Sequence, residues 1–197
     1  MRIAVIADIH GNLPALEVVL ADIDRRAVDR TINLGDYDHR SWLAALPTSA
    51  DANHGILACH GTPTNDNQYL VEEVYDRRLV RAGATTIRDR LGDVQARVVL
   101  CGHSHQQHLI QIPDGPLILN PGSVGCPSYD DPGNDPHVSE AGSPHARYAV
   151  LTIDERQVSA DMIAVTYDWK AAATRAEKND RPEWAYGLRT GWFIAGR

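Results

Sequence analysis

The chain has 197 residues, of which 43% are hydrophobic, and its formal net charge at pH 7 is −7. This length and hydrophobic content suffice for one domain with a sizeable core, so a single domain over residues 1–197 is predicted. The acidic balance and the scattered basic residues argue against nucleic acid as the main partner. No run approaches the roughly 18 apolar residues of a membrane span, so no membrane partner is predicted.

Short strands alternate with helices along the predicted chain. The apolar run from Ile3 to Ala7 predicts the first strand, and Asn12 and Pro14 are typical of the start of a helix after it. Further strands are predicted at 29–34, 55–59, 98–101, 108–112, 117–120, 147–153 and 158–165. Helices are predicted at 40–46, 68–78, 86–91, 169–178 and 182–189. Residues 122–141, rich in Gly, Pro, Asp and Asn, are predicted to form a long loop.

The periodicity alone indicates an α/β fold with a late antiparallel pair. Within the predicted helix 68–78, Glu72, Glu73 and the Arg77-Arg78 pair are expected to form a solvated face. The aromatic residues of the last helices are expected to pack internally or at a subunit contact; they are Trp169, Trp184 and Tyr186. No P-loop, dinucleotide-binding, H-E-x-x-H or G-x-S-x-G motif is present in the sequence.

Potential metal ligands stand where four of the short apolar runs stop: Asp8, His10, Asp36, His60, His103 and His105. Open α/β sheets bind ligands beyond the carboxyl ends of their strands, so these side chains are expected at one sheet edge. In an extended segment residues i and i+2 point the same way, which would aim each D-x-H or H-x-H pair at one place. A catalytic ion usually takes three protein ligands, so six predict two ions, with Asp36 as the bridge. A structural role is the alternative for any one of these histidines taken alone.

The order D-x-H, G-D, strand-end His and G-H-x-H resembles that of the calcineurin-like metallophosphoesterases, and within them the small bacterial and archaeal phosphodiesterase group. The segments that carry the resemblance are 1–12, 59–63, 101–105, 120–125 and 142–150. The similarity covers nearly the whole chain. It implies an αββα sandwich of two facing mixed β-sheets flanked by helices.

The resemblance also implies ligand sets and an activity. One set is Asp8, His10, Asp36 and His105, and the other is Asp36, His60 and His103. The implied activity is hydrolysis of small phosphodiesters or phosphomonoesters by a hydroxide that bridges two divalent ions, which Mn, Fe, Zn or Ni could supply. The positive charge of such a centre favours a small anionic substrate.

Three further residues resemble family positions near the metals: Asn12, Asn120 and Ser123. Backbone N–H groups in such turns can bind an anion, so these residues are candidates for substrate binding. A purely structural turn is an equal alternative.

One family motif is missing. In the resembled family a G-N-H-[DE] motif between the G-D and the strand-end His supplies an Asn ligand and a proton-donating His. Here Tyr37 is followed at once by Asp38, and the next residues resemble a family segment that normally lies well beyond the motif. No catalytic residue outside the metal centre is therefore predicted. His39 is a candidate substitute for the missing proton donor. The alternative is that it occupies a solvated position at the start of a helix.

Two hypotheses about function follow from this departure. The first is a working dinuclear phosphoesterase. The second is a catalytically impaired metal-binding or regulatory relative that lacks the Asn ligand and the general acid. The natural polypeptide either lacks a few tens of residues near Tyr37 and Asp38 or contains a segment that this sequence omits.

The cysteines Cys59, Cys101 and Cys126 have no C-x-x-C spacing, and two of them end predicted buried strands. They are expected to be reduced core thiols. Because no signal-peptide apolar region follows Met1, the cytoplasm is the predicted compartment. A homo-oligomer is compatible with the sequence.

Overall fold

Thirteen strands and four helices are formed by the residues that the computed structural model describes, which are 1–36 and 47–194. The helices are α1 Leu13–Asp24, α2 Ala84–Leu91, α3 Trp169–Lys178 and α4 Pro182–Thr190. The strands are β1 Arg2–Ile6, β2 Arg30–Asn33, β3 Ser49–Asp51, β4 Ile56–Cys59, β5 Glu72–Tyr75, β6 Arg78–Arg81, β7 Val98–Leu100, β8 Gln107–Gln111, β9 Leu117–Pro121, β10 Ser128–Asp131, β11 His137–Glu140, β12 Ala146–Ile153 and β13 Val158–Val165.

Two mixed sheets face each other across an apolar core. The first sheet has the order β13-β12-β1-β2, with β1 parallel to β2 and antiparallel to β12. The second has the order β3-β4-β7-β9-β8, with β4, β7 and β9 mutually parallel. The core between them contains buried side chains from both sheets, including Ile3, Val5, Ala149, Leu151, Ile56, Val98, Leu100 and Leu119.

Helices cover the outer faces of both sheets. On the first sheet α1, α3 and α4 pack against a cluster that includes Ala4, Ile6 and Tyr148. On the second sheet α2 contributes Ile87 and Leu91 to a separate buried cluster. The predicted αββα sandwich is therefore confirmed.

The predicted start of α1 is also confirmed. The backbone N–H of Ala15 donates to the Asn12 side chain at 3.4 Å, and Pro14 stands in the first turn. The buried face of the helix consists of Ala15, Val19 and Ile23, whereas Leu20 is 41% exposed.

A third sheet, of order β10-β11-β6-β5, was not expected. The predicted helix 68–78 is wrong, because β5 and β6 form a hairpin whose two-residue turn is Asp76-Arg77. Both turn residues have positive φ, 47° and 60°, as the tight turns of hairpins require. The predicted loop 122–141 is also wrong in part, since it contains β10 and β11. The many charged residues of 72–81 suit an exposed helix face as well as a hairpin, so composition did not separate the two.

The remaining predicted elements within the described residues are present, with ends shifted by at most two residues. The predicted helix 40–46 and the Tyr37–Asp38 junction lie outside the described residues. None of the four described helices combines the length and the apolar character needed to cross a membrane. The single-domain assignment of residues 1–197 stays a prediction.

Candidate metal centre

The candidate ligands lie just beyond the carboxyl ends of four strands of the two facing sheets. Asp8 and His10 follow β1, and Asp36 follows β2. On the second sheet His60 follows β4, and the Gly102–His105 turn follows β7. Parallel pairing of β1 with β2 and of β4 with β7 therefore delivers these side chains to one end of the sandwich.

The backbone of this site is unusual. Five of the candidate ligands have left-handed φ angles: Asp8 55°, His10 49°, Asp36 59°, His103 70° and His105 61°. The expectation that the D-x-H and H-x-H pairs lie in extended segments is wrong, because each pair sits in a left-handed turn after its strand. Such conformations cost an L-residue roughly 1–2 kcal/mol each and persist where the surroundings fix them, commonly at functional sites.

One group of four side chains is compact. Asp8, His10, Asp36 and His105 each offer a ligand atom, and these atoms all lie within 4.8 Å of one another. The Nε2 atom of His10 is 3.0 Å from both Asp36 Oδ2 and His105 Nε2. The Oδ1 atom of Asp8 is 3.6 Å from His105 Nε2. These are the four residues that the resemblance assigns to one ion.

His60 and His103 lie beside this group rather than within it. The Nε2 atom of His60 is 3.8 Å from Asp8 Oδ1, and the rings of His60 and His103 are 5.1 Å apart. With Asp36 they line a cavity of about 530 Å³, which Asp66 also borders. Gly35, which follows β2, has a φ of 118°, a conformation that favours glycine, and a Cβ there would lie 3.3 Å from the His60 ring.

Two buried polar atoms test whether these residues suit a cation. Among the described residues, Asp8 Oδ1 and His60 Nδ1 are buried without a hydrogen-bond partner. Buried carboxylate oxygens are normally satisfied, so a fully buried Asp8 with an unpaired oxygen facing imidazoles fits a metal ligand.

The orientation of His105 supports the same conclusion. Its Nδ1 lies 2.7 Å from the Cys126 carbonyl oxygen, which can only accept, so the proton resides on Nδ1. The lone pair of Nε2 then points toward the compact group, as in metal-binding histidines whose other nitrogen is hydrogen-bonded. The donor set therefore fits a divalent metal.

Burial controls the protonation of the site. Desolvation lowers the pKa of His103 to about 4, assisted by His60, and lowers the pKa of His105 well below its usual value, assisted by His10. These imidazoles are consequently neutral near pH 7, which is the form that binds metals. Desolvation and the charge of Asp36 raise the pKa of Asp8 well above its usual value. A bound cation would favour the Asp8 carboxylate.

The candidate substrate-binding residues are engaged with the protein itself. The Asn12 side chain donates to Gly125 O at 2.9 Å and to the Tyr167 hydroxyl at 3.0 Å. The Asn120 amide donates to Gly102 O, and the Ser123 hydroxyl donates to Asp8 O at 2.7 Å. All three side chains are buried, and their bonds hold the turns that carry the ligands. Direct substrate contact by these residues stays a prediction.

Sequence reasoning missed Glu72 and its partners. Glu72 is 1% exposed rather than solvated; it accepts a hydrogen bond from Ser104, and its Oε1 lies 3.1 Å from His108 Nε2. A carboxylate directly after the apolar Leu70-Val71 pair was the one signal that could have indicated burial.

Three further missed residues form a hydrogen-bonded group against the ligand turn. The Tyr69 ring stacks on His103 at 4.7 Å, and its hydroxyl is 2.7 Å from the Tyr129 hydroxyl and 2.8 Å from His137 Nε2. His137 is buried in β11 rather than lying in a loop. The Trp184 ring lies 6.0 Å from the His10 ring.

Comparison with known proteins identifies the family of this chain. The sequence model of the calcineurin-like phosphoesterase superfamily domain matches residues 1–155. The class defined by the fold and the site is thus that of the metal-dependent phosphoesterases. The chain belongs to the calcineurin-like phosphoesterase superfamily.

Individual relatives are distant. The uncharacterized protein MJ0912 of Methanocaldococcus jannaschii is 22% identical over 243 positions, which cover 92% of this chain and 94% of the relative. The aligned stretch is longer than the 197 residues of this chain, so the relative contains residues without a counterpart here.

A solved structure shows the same fold. A metallophosphoesterase from Sphaerobacter thermophilus superposes with a TM-score of 0.64 at 18% identity, covering 98% of this chain and 100% of that chain. A structure described as a novel archaeal phosphodiesterase superposes with a TM-score of 0.49 at 14% identity, covering 83% and 100% of the two chains.

Proposed function

We propose that this protein hydrolyses small phosphodiesters or phosphomonoesters at a centre of two divalent ions. The observation that supports this most is the compact group of Asp8, His10, Asp36 and His105, within 4.8 Å of one another. In the proposal these four residues hold one ion, and Asp36, His60 and His103 hold the other. Mn, Fe, Zn and Ni all accept such mixtures of imidazole and carboxylate.

The roles of the side chains follow from their charge and exposure. When bound, the ions would lower the pKa of a water to make it a nucleophile and would withdraw charge from the phosphoryl oxygens. Asp8 and Asp36 supply two negative charges while the imidazoles remain neutral, so a net positive charge is left for an anionic substrate. The side chain of Asp36 is 38% exposed and that of His10 is 20% exposed, which places the entrance on their side.

A second candidate, the impaired metal-binding or regulatory relative, also has support. The sequence contains no G-N-H-[DE] motif, and the archaeal relative has residues without a counterpart in this chain. Loss of one general acid costs on the order of 10²–10⁴ in rate, but an activated leaving group needs little protonation. Slow turnover of aryl esters is therefore the expected behaviour of a centre that keeps both ions.

The test is hydrolysis of bis(p-nitrophenyl) phosphate by metal-stripped protein with and without added Mn²⁺, together with measured metal content. Asp36→Ala should lose turnover and bind less metal. Asp66→Asn is the matched control, because Asp66 borders the same cavity but lies outside the proposed ligand set.

The outcomes separate the two candidates. Mn²⁺-dependent turnover that Asp36→Ala abolishes supports the phosphoesterase. Metal binding without turnover of this activated ester supports the impaired relative. Two bound ions and undiminished turnover in Asp36→Ala would contradict the ligand assignment itself.

The same proposal includes the compartment and the partners. The three cysteines are free thiols in the structure, which supports a reducing compartment, and we propose the cytoplasm. The proposed partner is a small phosphate ester, and a homo-oligomer remains compatible with the proposal.

A further inference from the structure

A second cavity shares no lining residue with the one bordered by His60. It has a volume of about 430 Å³ and is lined by His10, by the turn that follows β1 and by residues of α3 and α4. This volume is within the range of small-molecule sites, which is about 300–1,000 Å³. Because His10 belongs both to the compact ligand group and to this wall, the cavity opens beside the proposed reaction centre.

The wall contributed by the C-terminal helices combines an aromatic ring with two cations. Trp184 of α4 is half-buried and lies edge-on to His10, with ring centroids 6.0 Å apart. The guanidinium of Arg181 lies 5.2 Å from the centre of the indole ring and also binds Glu183. Arg175 of α3 borders the same cavity, and its exposed side chain has no ion-pair or hydrogen-bond partner within residues 1–36 and 47–194.

The charge around the two cavities differs. Among the described residues that line the cavity beside His10, none is acidic. The cavity on the His60 side is bordered by Asp36 and Asp66. In a chain of net charge −7, the cavity with Arg175 and Arg181 is therefore the side on which an anionic group is better accommodated.

We propose that this second cavity is the subsite for the ester group of the substrate, and that it selects a planar aromatic group with a negative charge of its own. Trp184 stacks with the aromatic ring, and Arg175 neutralises the additional charge. The inference rests on the proposed phosphoesterase function. It adds to the family assignment, because the family match ends at residue 155 and the selective side chains lie beyond it.

The test is equilibrium binding of three phosphonates, which are not hydrolysed, to the Mn²⁺-loaded protein by calorimetry. Methylphosphonate has no ring, phenylphosphonate adds the ring, and 4-phosphonobenzoate adds a ring with a carboxylate. Stacking of a ring on an aromatic side chain predicts that phenylphosphonate binds about tenfold more tightly than methylphosphonate. An exposed ion pair predicts a further gain of about two- to fivefold for 4-phosphonobenzoate.

Two variants test which side chain causes each gain in affinity, and two further variants serve as controls. Trp184→Leu should remove the advantage of the ring, and Arg175→Gln should remove only the advantage of the carboxylate. Lys178→Gln removes a cation three residues further along α3, and Trp192→Leu removes a tryptophan that borders neither cavity. Both controls should keep the affinities of the parent protein.

Equal affinities for methylphosphonate and phenylphosphonate in the parent, or a ring advantage that survives in Trp184→Leu, would overturn the assignment. Turnover of bis(p-nitrophenyl) phosphate without ring selectivity would overturn this subsite and leave the proposed function standing. Ring selectivity that depends on Trp184 in a protein without turnover would support the subsite and count against the proposed function.

Discussion

The hydroxyl of Ser104 donates a hydrogen bond to the buried carboxylate of Glu72, which joins the third sheet to the turn that carries His103 and His105. Ser104 is itself fully buried and also accepts a hydrogen bond from the Asn120 amide at 3.0 Å. The turn that carries the two candidate ligands is therefore hydrogen-bonded to a carboxylate on a different sheet. Outer hydrogen bonds of this kind orient metal ligands and affect their affinity.

Glu72→Gln should loosen this turn. Because a buried charged hydrogen bond is replaced by a weaker one, we expect the free energy of unfolding to fall by about 1–3 kcal/mol. Metal affinity should also fall, by less than the roughly 10- to 100-fold that follows the loss of a group bonded directly to a ligand, because Glu72 acts through Ser104. Urea unfolding and metal titration measure the two effects. The adjacent exposed Glu73→Gln is the control, and equal effects of both changes would contradict the role of Glu72.

Tyr69→Phe should keep the ring that stacks on His103 but lose the hydroxyl that bridges Tyr129 and His137. His137 Nε2 would then lose its hydrogen-bond partner, whereas the Tyr129 hydroxyl would keep its bond to the His103 carbonyl oxygen, so the free energy of unfolding should fall by about 1–3 kcal/mol. Tyr69→Leu should in addition weaken metal binding on the His103 side. Tyr75→Phe, at a tyrosine that is 72% exposed, should change stability by less than about 0.5 kcal/mol. A Tyr69→Phe effect no larger than that of the control would refute the prediction.

Ala27→Gly should stabilise the protein. Ala27 is exposed and has a φ of 52°, a conformation that costs an alanine roughly 1–2 kcal/mol. Glycine removes this strain at an entropic cost of roughly 0.5–1 kcal/mol, so a net gain of about 0.5–1 kcal/mol is expected in urea unfolding. The same substitution at the exposed Ala21 in α1 should instead lower stability by about 1 kcal/mol. Destabilisation by Ala27→Gly would show that its left-handed backbone is not strained.

Stability should decline at alkaline pH because of the buried thiols. Burial raises the pKa of Cys59 and of Cys126 to about 12. In the unfolded chain a thiol ionises near about pH 8.5, so this contribution to stability is fully present below that pH and is lost as the pH rises toward the folded pKa. Each thiol should contribute a loss of up to about 1.4 kcal/mol per pH unit in that window.

Urea unfolding of the parent and of Cys59→Ala at several alkaline pH values measures this loss. The variant should show a smaller decline with pH. Val99→Ala, at a neutral buried residue of the same cluster, should lower stability without changing the decline. An unchanged pH dependence in Cys59→Ala would contradict the assignment.

The parts of the fold that the sequence predicted are those with a strong local pattern. The apolar runs that form β1, β4 and β7 stop directly before Asp8, His60 and the Gly102–His105 turn. Because the carboxyl ends of parallel strands meet at one edge, the sequence could bring the candidate ligands together. It could not show their left-handed backbone, since neither Asp nor His requires that conformation.

The third sheet was not predicted, and the reason is different. Its link between β6 and β11 joins Arg78 to Val138, far apart in sequence, and long-range pairing leaves no local pattern. The tightly turned β5–β6 hairpin has Asp76-Arg77 at its centre, without the glycine that marks most such turns. Consequently the contacts of Tyr69 could not be predicted, and the only sequence signal for the burial of Glu72 was the apolar Leu70-Val71 pair before it.

The apolar layer between the facing sheets has a consequence for any relative with altered active-site loops. Within the part of the chain that the structure describes, it consists of side chains such as Val5, Leu100 and Leu151, none of which is a candidate metal ligand, so its packing does not require the catalytic groups. Folding and turnover are thus separable properties of this architecture. A sharp melting transition in such a protein would show that the fold is intact. It would not show whether the protein still hydrolyses a phosphate ester.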